Sequence, residues 1–170
     1  NTHEGRALFG VIVNGRMVLN EAGRIAEGCW LEIPKHFPQA RVDEHVIMPN
    51  HMHGLIELMG AEAEMGEGRA IARPYALGDM VGAYKAAVSR EIGRGGQLPI
   101  PAGASAIWHR NYWDVIVRDG QALANIRDYI RNNPANYERV LNVGGSRMIG
   151  NAELLALPKA GFLASRGDGR

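Results

Sequence analysis

The stretch Arg41-Val-Asp-Glu-His-Val-Ile-Met-Pro-Asn-His-Met-His-Gly-Leu-Ile-Glu-Leu58 decides how this chain is read. Residues 41–48 alternate and are expected to form a strand. Pro49-Asn50 interrupts it, because proline has no N–H for a ladder and asparagine favours turns. Residues 51–58 then read as a strand again, or as the same strand continuing past a bulge. Alternate side chains on a strand share a face, so His51 and His53 project together, roughly 7 Å apart by strand rise. Met52, Gly54, Ile56 and Leu58 take the opposite, core-facing side, and Glu57 lies on the histidine face. Two imidazoles placed this way can converge on one ion. Two unrelated surface histidines, or a satisfied core histidine, would give the same pattern. Nothing completes a tetrahedral zinc set: His3, His36, His45 and His109 are scattered, and there is one cysteine.

Toward the N-terminus, residues 8–19 read as a hairpin around Asn14-Gly15, a strong two-residue turn signal. Asn20 is placed to cap a helix. Ala22, Ile25, Ala26, Cys29, Trp30 and Ile33 recur at helical spacing, with Pro34 after the last of them. Toward the C-terminus, residues 60–76 are rich in Gly, Ala and Glu and read as an exposed loop. Leu77, Met80, Val81, Tyr84, Val88 and Ile92 mark a second helix, followed by a Gly/Pro loop over 93–103. Residues 108–117 read as a strand. On that strand Trp113 faces away from Trp108 and Tyr112, and Trp113 is assigned to the core.

A third helix is expected from a cap at Asp119 to a stop at Pro134. Leu123, Ile126 and Ile130 form its buried stripe. Ala122, Asn125, Tyr129 and Asn133 lie on a neighbouring face that is otherwise small or short and polar, so a bulky partner could approach the phenol. The Asn133 amide oxygen can serve as a metal ligand. An ordinary helix tyrosine at the edge of a core fits Tyr129 as well.

With 170 residues and a 46% hydrophobic fraction, the chain suits one domain with its own core. Interleaved strands and helices point to an α+β domain with a mainly antiparallel sheet. No apolar run is long enough to cross a membrane, and no signal peptide is read at the start. A single cysteine excludes an internal disulfide and fits a reducing cytoplasm, the expected location. The net charge is +1, unevenly spread. Residues 1–68 hold five basic and ten acidic side chains, whereas residues 69–147 hold eleven and six. The middle segment could therefore present a basic face to phosphates.

Taken together, Met48-Pro-Asn-His-Met-His-Gly-Leu-Ile56 and Ile126-Arg-Asp-Tyr-Ile-Arg-Asn-Asn-Pro134 resemble the signatures of single-tyrosine HUH transposases, closest to the REP-associated tyrosine transposases. Leu8-Phe-Gly with Asn20-Glu-Ala-Gly-Arg24, Cys29-Trp30 with Ile33-Pro34, and Trp108-His-Arg-Asn-Tyr-Trp-Asp114 are similar to further family segments. The resemblance covers roughly residues 8–137, in the right order. Two departures stand out. The family usually opens with a strand ahead of the Leu8 segment, so a first strand is expected to be missing. Val115 also stands where the family often has histidine.

The resemblance implies a ferredoxin-like or RRM-like antiparallel sheet with flanking helices, the HUH endonuclease fold, over residues 1–147. It leaves 148–170, with apolar Leu154 to Leu163, as a tail without an assigned role. It implies that His51, His53 and Asn133 hold a divalent ion, Mg²⁺ or Mn²⁺, and that Tyr129 is the nucleophile. The implied activity is cleavage and rejoining of single-stranded or hairpin DNA through a 5′-phosphotyrosine, by a monomer or homodimer that does not engage membranes. Lys85, Arg90, Trp108, Arg110 and Asn111 are the expected nucleic-acid contacts.

Overall fold

The computed structural model describes residues 1–59, 76–95 and 107–143, with backbone alone for 138–143. The expected tail at 148–170 lies outside these residues, as do most of the 60–76 loop and positions 96–103 of the Gly/Pro loop. The elements are β1 (Gly10–Val13), β2 (Arg16–Leu19), α1 (Glu21–Leu31), α2 (Ile33–His36), β3 (Ala40–Ile47), β4 (Met52–Leu58), α3 (Leu77–Gly95) and α4 (Gly120–Val143). The protein is an α+β chain in which, among the described residues, the strands form two separate antiparallel pairs, β1–β2 and β3–β4.

The first hairpin turns where expected. Asn14 and Gly15 both have positive φ, 52° and 71°, which suits a tight turn between right-twisted strands. Asn20 then caps α1, its side-chain oxygen accepting from the Gly23 amide at 3.0 Å. Pro34 does not end helical structure. It sits in the first turn of α2, where a missing N–H costs nothing.

The strands expected at 41–48 and 51–58 are β3 and β4, folded back on each other, which settles the alternatives left open by Pro49-Asn50. Met48 donates its amide to the His51 carbonyl at 2.8 Å and closes the connection. Val42 pairs with Ile56 and His45 with Gly54, so β3 carries one extra residue, a bulge at Asp43-Glu44.

The two faces of this pair meet different layers. On one face a Cβ on Gly54 would lie 2.3 Å from the Trp30 indole of α1, so only glycine permits this approach. Trp30 meets Tyr84 of α3 edge-on, with centroids 5.6 Å apart. Of the expected stripe of α3, Met80, Tyr84, Val88 and Ile92 are buried here, and Leu77 and Val81 are half-buried. On the other face α4 packs on β3 and touches β4 and β2.

Three expectations are corrected. Residues 108–117 form no extended strand among the described residues: Trp108 makes an isolated antiparallel bridge to Thr2. The assignment of tryptophans is reversed. Trp108 is buried against Phe9 and Tyr84, while Trp113 is 63% exposed. With no regular strand, alternation does not decide which ring turns inward; the bridge at Thr2 does. Finally, α4 continues through Pro134 to Val143. A proline within a helix removes one hydrogen bond and crowds the preceding turn. Here Pro134 is buried, and packing outweighs the local preference.

No helix among the described residues is long and apolar enough to cross a membrane.

Candidate metal and tyrosine site

His51 sits at the end of the β3–β4 connection and His53 just inside β4. Their Nε2 atoms are 3.1 Å apart and their rings are nearly perpendicular. The face-sharing expected from strand periodicity is realised. His51 is 6% exposed and His53 half-buried. Burial, reinforced at His51 by the neighbouring ring, pushes the His51 pKa down to about 3; burial pushes His53 down to about 4. Both imidazoles are therefore neutral at pH 7 and keep lone pairs available.

Helix α4 brings the other half of the site. Asp119 caps it, accepting from the Ala122 amide at 2.7 Å. Tyr129, Asn133 and Tyr137 follow one another at four-residue spacing, so they form one ridge. The Tyr129 ring meets His53 edge-on at 5.3 Å between centroids, and the Tyr137 ring lies 6.1 Å from His51. Asn133, between them, is 1% exposed, and its amide nitrogen has no hydrogen-bond partner among the described residues. Burial raises the Tyr129 pKa, and the neighbouring Asn133 side chain opposes this.

The donor set fits a divalent ion. Two ligand atoms about 2.1 Å from one ion lie roughly 3 Å apart when they are neighbours in its shell. The two Nε2 atoms already have that spacing. No group of three or more His, Cys, Asp or Glu side chains is gathered among the described residues. Among the described residues, the buried Asn133 amide on the facing ridge offers an oxygen as a third ligand. An amide oxygen suits Mg²⁺ and Mn²⁺ alike, and the two imidazoles favour Mn²⁺ of the pair.

Arg127 and Arg131 hold the ridge in register. Arg127 reaches Asp43 through Nε at 3.0 Å, and Arg131 reaches Glu44 at 2.6 Å. Consecutive strand residues ordinarily face opposite sides. The bulge lets Asp43 and Glu44 both meet α4.

The expected nucleic-acid contacts divide. Arg110 and Asn111 are exposed, and Lys85 donates to the carbonyls of His109 and Asn111 at 2.9 and 3.2 Å, bracketing Arg110. Lys85 thus spends two of its donors holding that loop. Arg90 is exposed on the side of α3 toward α1, where its charge acts on Cys29. Trp108 belongs to the core; Tyr112 and Trp113 are the exposed rings of that segment.

Sequence reasoning missed two participants. Tyr137 shares the ridge of Tyr129, a periodicity cut short by ending the helix at Pro134. Asn50 was read as a strand break, yet its side-chain oxygen lies 2.7 Å from His51 Nδ1.

An uncharacterized protein of Haemophilus influenzae is 37% identical over 143 residues, covering 78% of this chain and 75% of that protein. No family model matches the chain, and no solved structure matches it.

Proposed function

Taking as premise that the chain belongs to one family with this Haemophilus influenzae protein, we propose that it is a metal-dependent strand-transferase acting on single-stranded or hairpin DNA through Tyr129. The observation that carries the reading is the approach of the Tyr129 ring to His53, 5.3 Å between centroids, at a neutral histidine pair spaced for one ion. Support also comes from the sequence resemblance to REP-associated tyrosine transposases, and from the α+β layering that sets the histidine strand under the tyrosine helix. In this reading the fold is the ferredoxin-like HUH arrangement.

His51, His53 and Asn133 Oδ1 would hold Mg²⁺ or Mn²⁺. When bound, such an ion neutralises charge on a phosphodiester and polarises phosphorus. The chain's own residues do the rest. Tyr129 would present its phenolic oxygen from α4 beside the histidine pair, so that the reacting atoms meet without a search. Its O–P bond forms as the bond from phosphorus to the 3′ oxygen breaks. The phenol proton leaves to solvent, and the released 3′ oxygen takes one up. The product is a 5′-phosphotyrosine that retains the bond energy, so a second 3′-hydroxyl can attack it and rejoin strands without a nucleotide cofactor. A phenol with a raised pKa is a poor nucleophile in isolation, which is why the reaction needs the charged partner at the histidines. Arg110 and Asn111, on the loop held by Lys85, would meet phosphates, and the exposed Tyr112 and Trp113 would stack on unpaired bases.

The test is incubation with 5′- and 3′-labelled single-stranded DNA and Mn²⁺ or Mg²⁺, resolved on denaturing gels. A metal-dependent covalent protein–DNA band that is absent in Tyr129→Phe is the expected result. A band of equal strength in Tyr129→Phe would overturn the assignment.

A further inference from the structure

Asn50 stands at the join of three segments. Its backbone carbonyl accepts from the Thr2 amide at 2.8 Å. Its side-chain nitrogen donates to the Gly5 carbonyl at 3.2 Å, and its side-chain oxygen faces His51 Nδ1 at 2.7 Å. These contacts fix one another. A backbone carbonyl can only accept, so the amide nitrogen must face Gly5. The amide oxygen then faces the ring, and an oxygen can only accept there. His51 Nδ1 must therefore carry the hydrogen, and a neutral ring has its bare lone pair at Nε2.

The bare nitrogen is the one that faces the second ring: His51 Nε2 and His53 Nε2 are 3.1 Å apart, the spacing of neighbouring ligand atoms on one ion. The Asn50 contact thus leaves His51 with hydrogen on Nδ1 and its lone pair turned toward the candidate ion position.

We propose that Asn50 is a positioning residue that presets His51 in the ligating tautomer, with hydrogen on Nδ1 and the lone pair of Nε2 free for the ion. The inference rests on the metal reading of the histidine pair, but its first half concerns the ion-free protein and needs neither metal nor DNA. Partners of this kind orient ligating imidazoles, and their loss typically weakens metal affinity about 10- to 100-fold.

The experiment is nitrogen NMR of the imidazoles in ¹⁵N-histidine protein, first ion-free and then titrated with Mg²⁺. Ion-free protein is expected to show His51 protonated at Nδ1. With Mg²⁺, that protonation should persist while the His51 Nε2 signal shifts. Asn50→Ala should mix the His51 tautomers and weaken Mn²⁺ binding, read by electron paramagnetic resonance, about 10- to 100-fold. Asn50→Asp keeps an acceptor at Nδ1 and should restore the His51 pattern. Finding His51 protonated at Nε2 in the parent protein would overturn the proposal, whatever the variants do. The expected ion-free pattern without any response to Mg²⁺ would uphold the role of Asn50 while counting against the metal reading.

Discussion

At the scale of single residues, Gly54 and Asn133 show the two ways this site is constrained. Gly54 lets β4 lie against the Trp30 indole, and a methyl group there would meet the ring at 2.3 Å. Gly54→Ala should destabilise the chain by roughly 1–3 kcal/mol through overpacking, measured by urea unfolding. It should also disturb the histidine pair, since His53 is its neighbour. Asn133 is the opposite case, a buried amide with an unsatisfied nitrogen. Such a group costs stability that an apolar side chain of similar size would recover, roughly 1–3 kcal/mol. Asn133→Leu should therefore raise the melting temperature of the ion-free protein while weakening Mn²⁺ binding. A fall in both would show that Asn133 serves packing rather than the ion. Much of this was legible in the sequence. Period-two alternation put His51 and His53 on one face and Gly54 on the other, and helical spacing put Asn133 beside Tyr129. The link from Asn50 to His51 was not legible. It depends on Gly5, a residue 45 positions away, turning the amide.

At the scale of elements, the site is the docking of α4 on β3–β4, and the Asp43–Arg127 and Glu44–Arg131 pairs span that junction. The Arg127 guanidinium, by hydrogen bonding, holds the Asp43 carboxyl below its ordinary value near 3.8. A carboxylate with a lowered folded-state pKa stabilises the fold above its unfolded value and loses that contribution as pH falls below it. The parent chain should lose stability below about pH 4 more steeply than Asp43→Asn, compared by thermal melts across pH 3–7. Arg127→Glu should lower the melting temperature more than Lys35→Glu, because the Lys35–Glu32 pair is an exposed neighbour contact on one element. Asp43→Arg combined with Arg127→Asp should recover part of the loss. The bulge behind this junction does leave a mark in the sequence, because Asp43-Glu44 puts two acidic side chains in succession and breaks the alternation that the strand reading assumes. The continuation of α4 past Pro134 was hidden. Local preference argues for a stop, and the tertiary burial of Pro134 decides otherwise.

At the scale of the whole molecule, the layering was foreseen and its completeness was not. Turn residues, caps and the α3 stripe predicted the order of elements because each depends on neighbours in sequence. The segment after Trp108 depends on what lies beside it, and its reading as a strand with Trp113 inward failed for that reason. The uneven charge has a testable consequence. If Arg110 meets a DNA phosphate, the logarithm of single-strand affinity should fall with the logarithm of salt, and Arg110→Ala should shallow that slope by about 0.7. An unchanged slope would remove Arg110 from the interface.

The central claim concerns one oxygen atom, and trypsin isolates it. Cleavage after Arg127, Arg131 and Arg139 places Tyr129 in the peptide 128–131 and Tyr137 in the peptide 132–139. Protein reacted with single-stranded DNA and Mn²⁺, then digested with nuclease and trypsin, should carry its nucleotide mass on 128–131. Nucleotide on 132–139, or on neither peptide in a preparation that has cut the DNA, would contradict the account.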